Sequence, residues 1–208
     1  MISSQIVEML EQETKSVSNL RISKEKYYEY YDVTNQKKNS DIDFAIYDIK
    51  ANKLLVIECK WKDNHYLSEA DYNYNRVHNS LYKIYDDQIV KHQGFLSDKN
   101  NIDCVFDFEQ EIVAIKDKPE IEYLIVDKRN QLYLEGRKMM SVYMLISLLQ
   151  GFRADDVINL KGVITLIKSL ETKTEYFVAG EEKMFTLKDG ISILLSDQLN
   201  LDYSFKGI

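Results

Sequence analysis

The chain predicts an α/β fold, strands packed against helices, from three observations. Two apolar runs, at 42–47 and 54–59, are separated by a short polar stretch, a long segment at 73–96 carries apolar residues at helical spacing, and a further apolar run follows at 121–126. Short apolar runs bounded by turn residues read as strands buried on both faces, whereas an apolar residue every three or four positions reads as an amphipathic helix.

Taken in order, residues 3–13 predict a short helix with Ile2, Ile6, Met9 and Leu10 as its buried stripe. Stretches 17–22 and 27–33 alternate enough to be two strands leading into a hairpin. Tyr27, Tyr28, Tyr30 and Tyr31 could stack on bases, but tyrosine also packs well in half-buried strands and the chain has 15 of them, so biased composition is the better account. The hairpin follows, with its turn at 48–53, then a loop at 63–72 and the helix at 73–96, whose stripe is Val77, Leu81, Ile84, Lys91 and Phe95 with Gln88 between them. His92 lies one turn beyond Gln88. A lone helical histidine is more often a surface or capping residue than a ligand, and His65 and His78 lack zinc-site spacing. An acidic connection at 94–119 holds a strand at 104–108. A strand at 121–126, a turn at 127–130 and a short strand at 132–134 come next, and 141–149 begins a helix or strand against the core. Beyond it a helix at 154–170, a hairpin of 176–178 with 184–187, and a helix at 188–199 are expected, none with recognisable chemistry. Without repeats or Pro/Gly-rich linkers, the chain reads as one compact unit.

At 208 residues, 45% hydrophobic and 29% charged, the chain has the composition of a soluble globular protein with room for a full core. Cys59 and Cys104 form no metal-ligand pattern and read as two free thiols in a reducing compartment. The opening residues lack the basic region and apolar run of a signal peptide, and no apolar stretch reaches the ~20 residues of a membrane span, so a cytoplasmic protein with no membrane partner is expected. The net charge of −7 argues against a surface coated for nucleic acid. That charge is concentrated. Residues 101–127 hold eight acids against Lys116 and Lys118, and the rest of the chain is nearly balanced. Tight sequence-independent DNA binding, which draws on many Lys or Arg contacts to phosphate, is not expected.

The chemistry sits in residues 41–62. Asp43 lies near the start of the first hairpin strand, and Glu58-Cys59-Lys60 ends the second. Side chains two apart share a face of a strand, so Glu58 and Lys60 project side by side, about 7 Å apart along the backbone. Antiparallel return of the chain puts Asp43 at the same end, with Ala45 and Tyr47 on its face and Phe44 and Ile46 on the other. A strand apolar on both faces does not end in Glu and Lys without partners, because a buried unpaired charge is very unfavourable. Two facing carboxylates suit Mg²⁺ or Mn²⁺, hard cations that take oxygen ligands and keep several waters. The plain alternative is a pair of solvated strand-end charges, which contributes little.

This hairpin resembles the active-site hairpin of the PD-(D/E)XK phosphodiesterases, the restriction-endonuclease-like superfamily. The resemblance covers residues 1–150 in organisation and only the hairpin in specific motif. It implies an α-β-β-β-α-β core with a mixed central sheet flanked by helices over 1–150, and a C-terminal α+β extension, 151–208, packed on that core. It implies a Mg²⁺- or Mn²⁺-dependent nuclease, acting on DNA before RNA, in repair, restriction or defence. The implied catalytic residues are Asp43, Glu58, Lys60 and Gln88; the implied metal ligands are Asp43, Glu58 and the backbone carbonyl of Cys59. Gln88 enters because several branches of the superfamily carry an amide there that helps position water or substrate; its bland reading is a residue bordering the stripe. Asp41 competes with Asp43 as first ligand, and Glu8, Glu11 or Glu13 could supply the acid that some members draw from their first helix. Nucleic acid is the implied partner, with another subunit or a second copy supplying specificity. The alternative is a catalytically inactive nuclease-fold module, a regulatory subunit whose interaction surface is the acidic segment 101–127. A structural ion network in an unrelated α/β fold is the third reading.

Overall fold

In the computed structural model, which describes residues 3–60, 70–106, 117–170, 183–186 and 192–195, a six-stranded mixed sheet stands between two helical layers. Helix α1 (Ser3–Thr14) precedes a meander of β1 (Leu20–Tyr31), β2 (Lys37–Asp48) and β3 (Lys53–Lys60). Helix α2 (Ala70–Ile84) runs through a π-helical turn (Tyr85–Ile89) into α3 (Val90–Phe95), and α4 (Lys99–Phe106) follows. Then come β4 (Glu120–Asp127), β5 (Leu132–Leu134), β6 (Arg137–Ser141) and α5 (Val142–Gly151). A two-residue hairpin of β7 (Arg153–Ala154) and β8 (Val157–Ile158) leads to α6 (Leu160–Ser169), and β9 (Lys183–Thr186) pairs antiparallel with β10 (Ser192–Leu195). The sheet order is β1-β2-β3-β4-β6-β5, with β3, β4 and β6 mutually parallel and the other pairs antiparallel.

β3 is central because it is apolar on both faces. Leu55, Ile57 and Cys59 enter one core with Ile6 and Leu10 of α1, Leu145 of α5 and Ile164 of α6. Leu54 and Val56 enter the opposite core with Phe95, Ile102 and Val105 of α3 and α4. Burying each such side chain stabilises the fold by about 1.5–3 kcal/mol. The hairpin turn is set by Asp48, whose Oδ1 accepts from the Lys50 and Ala51 amides, and by Asn52 in the left-handed region at φ 52°. Asparagine tolerates that conformation better than most residues.

Several elements differ from the sequence reading. The two strands expected at 17–22 and 27–33 are one strand, β1. Leu20 and Ile22 face the α1 core while Tyr28 and Tyr30, of the same alternation phase, face the other. Glu25, at φ 49°, lies between them. This turning of one strand breaks the alternation without shifting the register, and alternation alone reads it as two strands. Of the strand expected at 104–108, residues 104–106 are instead the end of α4, whose Ile102 and Val105 are buried at helical spacing, and 107 and 108 lie outside the described residues. β6 was missed: its hairpin turn, Glu135 and Gly136 at φ 51° and 76°, is the two-residue left-handed type that suits strand twist. The helix expected from 154 begins only at Leu160, capped by Asn159 accepting from the Gly162 amide. Residues 192–195, expected in a helix, form a strand, where Ile193 to Leu195 make the kind of short apolar run that periodicity cannot assign. The expected strand 176–178 lies outside the described residues, as do residues 63–69 of the loop expected at 63–72, whose last three residues instead belong to α2. Cys59 and Cys104 are free thiols, and no described helix is long and apolar enough to cross a membrane.

Asn19 ties residues beyond 151 to the meander. It is buried, its Nδ2 donates to Asp48 Oδ2 and to the Ile158 carbonyl, and its Oδ1 accepts from the Ile158 amide. Asn19→Ala strands both backbone groups of Ile158 and should cost about 1–3 kcal/mol. Urea denaturation reads this directly, and an unchanged midpoint would show that the clamp contributes nothing.

Candidate active site

β3 and β4 are parallel, so their C-terminal ends share one rim of the sheet, with Lys60 paired to Asp127. β2 pairs with β3 only from Phe44 onward, which brings Asp43 to the end of β3. There Asp43 Oδ2 accepts from the Cys59 amide at 2.6 Å. Lys60 Nζ donates to Glu58 Oε1 at 2.5 Å. Glu58, 3% exposed, also meets His92 Nε2 through Oε2 at 3.0 Å. The three hairpin residues singled out from sequence therefore converge.

Their electrostatics are unequal. Burial first, and then the Glu58 charge, push Asp43 up to about 7. Burial also pushes Glu58 upward, but the His92 hydrogen bond and the Lys60 ammonium outweigh it and hold the carboxyl below its usual range. Burial pulls Lys60 down, yet the Glu58 charge and hydrogen bond, with Asp43 behind them, leave it raised. Lys60 is thus an ammonium at neutral pH, fitted to hold charge rather than to accept a proton.

Other candidates separate. Asp41 is exposed on β2 opposite Tyr27, so Asp43 is the acid at the end of β3. The Cys59 side chain lies in the α1 core, on the face away from Glu58, and burial raises its thiol well above the ordinary value. Only its backbone could serve a cation. Glu8 is exposed on α1, Glu11 pairs with Lys24, and Glu13 accepts from Gln150; α1 packs on the face opposite Glu58. No first-helix acid reaches the rim. Gln88 is half-buried in the π turn, and its Oε1 accepts from Ser40 Oγ at 2.7 Å. Gln88 borders the stripe rather than lying on it.

His92 corrects the sequence reading. It is fully buried, with Nδ1 2.7 Å from the Tyr28 hydroxyl and Nε2 on Glu58. In the π turn the Val90 amide bonds the Tyr85 carbonyl, one residue further than in an α-helix. The buried positions therefore step from Leu81 and Ile84 to Ile89, His92 and Phe95, and half-buried Lys91 leaves the stripe. A second apolar phase, Ile89-His92-Phe95-Leu96, was present in the sequence; only the inserted residue selects it. Tyr28 is buried and stacked on Phe95 at 4.0 Å, so it is closed to base stacking, while Tyr27 and Tyr31 are 58% and 66% exposed.

Among the described residues no cluster of three or more His, Cys, Asp and Glu side chains is arranged to hold a metal. Two acids converge, and one is destabilised as an anion by the other. That donor set fits a hard divalent cation that keeps most of its water. It does not fit zinc, which takes three or four protein ligands. No family model, curated protein or solved structure matches the chain.

Asp43 makes stability depend on pH. Its carboxyl titrates near 3.8 when unfolded and about 7 when folded, so across that window the folded state holds a proton the unfolded chain has lost. Stability then falls as pH rises through the window and levels off above it. Without divalent cations, Asp43→Asn should be more stable than the parent at pH 8 by on the order of a few kcal/mol, with the advantage shrinking towards pH 4. Equal melting temperatures at pH 8 would remove the buried-acid argument.

Proposed function

We propose that the chain is a Mg²⁺- or Mn²⁺-dependent nuclease, hydrolysing phosphodiester bonds of DNA in preference to RNA, with a restriction-endonuclease-like core. The observation that carries this reading is the convergence of Asp43, Glu58 and Lys60 at one rim of the sheet, where the Cys59 amide and the Lys60 charge only partly compensate the Asp43 anion. The element order supports the core: a helix, a three-strand meander, a helix, and a strand parallel to the third.

Asp43, Glu58 and the Cys59 carbonyl would hold the cation. Bound there, it would polarise the phosphoryl oxygen, lower the pKa of water and neutralise developing charge. The remaining tasks fall to the chain's own groups. The Lys60 ammonium stabilises negative charge on the phosphate as the bond breaks. Gln88, its oxygen engaged by Ser40, would have only its amide N–H groups to offer to water or substrate. The low supply of surplus cations leaves sequence or structure choice to a partner subunit or a second copy.

The test is cleavage of double-stranded DNA, single-stranded DNA and RNA in Mg²⁺ or Mn²⁺. Asp43→Asn and Lys60→Ala should each lower the rate at least ~10²-fold with the fold intact. Cleavage that persists in chelator, or that survives both changes, overturns the reading. A calorimetric blank with both cations favours the catalytically inactive interaction module instead.

A further inference from the structure

The mechanism above leaves one buried, chemically able side chain unused. His92 is fully enclosed, lies between Glu58 and Tyr28, and reaches that place only because a π turn inserts one residue into the helix. We propose that His92 is a positioning residue for the cation site, its imidazole held between the Tyr28 hydroxyl at Nδ1 and Glu58 Oε2 at Nε2. The inference rests on the metal-dependent reading and deepens it.

The Glu58 end has a fixed direction. A carboxylate oxygen only accepts, so Nε2, 3.0 Å from Oε2, is the donor there. At the other ring nitrogen the buried Tyr28 hydroxyl lies 2.7 Å from Nδ1. The far end is anchored as well. The Tyr28 ring stacks on Phe95 with centroids 4.0 Å apart and planes 13° apart. Gly94 leaves room for the neighbouring Tyr30: a Cβ at 94 would sit 2.5 Å from its hydroxyl.

Glu58 is held from two sides that differ in kind. Lys60 reaches Oε1 on a long chain and is about one-third exposed, free to move towards substrate. His92 has no such freedom, so it alone keeps the carboxylate plane in place when Lys60 leaves. Groups that orient a metal ligand in this way typically contribute 10–100-fold in metal affinity.

Calorimetry with Mn²⁺, alongside thermal unfolding, tests the inference. His92→Leu should weaken Mn²⁺ binding ~10–100-fold. His92→Gln, which keeps a donor amide, should recover most of that loss. Tyr28→Phe, which deletes one hydroxyl and keeps the ring stack, should weaken binding several-fold. In the cation-free parent, the ¹⁵N signals lost in His92→Gln should show a hydrogen on Nε2. Wild-type affinity in both His92→Leu and Tyr28→Phe, or no hydrogen on Nε2, overturns the positioning role. If His92→Leu does not fold, Tyr28→Phe and the ¹⁵N assignment decide. If the parent binds Mn²⁺ and Asp43→Asn does not, the cation reading stands whatever the His92 variants do; if the parent binds none, both readings fall together.

Discussion

Asp43 and Glu58 are set close together at the end of a strand that is dry on both faces, and the rest of the structure is arranged around that repulsion. A carboxylate there is largely shut off from water, Glu58 buried and Asp43 half-buried, because β3 lies between β2 and β4 and helices cover both sheet faces. Its charge must be shared, protonated or met by a cation. The protein uses the first two devices visibly: Glu58 is shared between Lys60 and His92, and Asp43 is pushed to about 7. Hydrophobic burial of β3 supplies the stability that permits such a rim, and strain of this kind is common where a site rather than the fold dictates the residues.

The helical layer over this rim is shaped by one inserted residue. Val77, Leu81 and Ile84 cover the β4–β6 side of the sheet, and after the π turn Phe95 and Leu96 cover the β2 side. Between these two clusters the stripe must pass over polar Glu58. The π turn changes phase at that place and supplies His92 instead of a second apolar side chain. Ser40 and Gln88 bridge the same helix to β2, so the polar groups form a seam between two apolar patches. A buried polar seam is tolerable only when its members are paired, and His92 has a partner at each ring nitrogen.

What the sequence determined by itself was local. The double-faced apolar run at Leu54–Ile57 defined a central strand, and the Asp43 and Glu58-x-Lys60 spacing defined a common strand end, because an antiparallel return brings the start of one strand beside the end of the next. The first helix and β4 were legible for the same reason, a clean period. What only the tertiary structure decided were events that change the period. The face change about Glu25 fuses two apparent strands, the left-handed Glu135-Gly136 turn creates β6, and the π turn replaces Lys91 by His92. Each moves side chains to another face through a single backbone conformation, which a hydrophobicity pattern registers only as noise. The absence of a first-helix acid from the rim was likewise a tertiary decision: α1 carries Glu8 in a clear helical pattern, but packing sends that helix to the other side of the sheet.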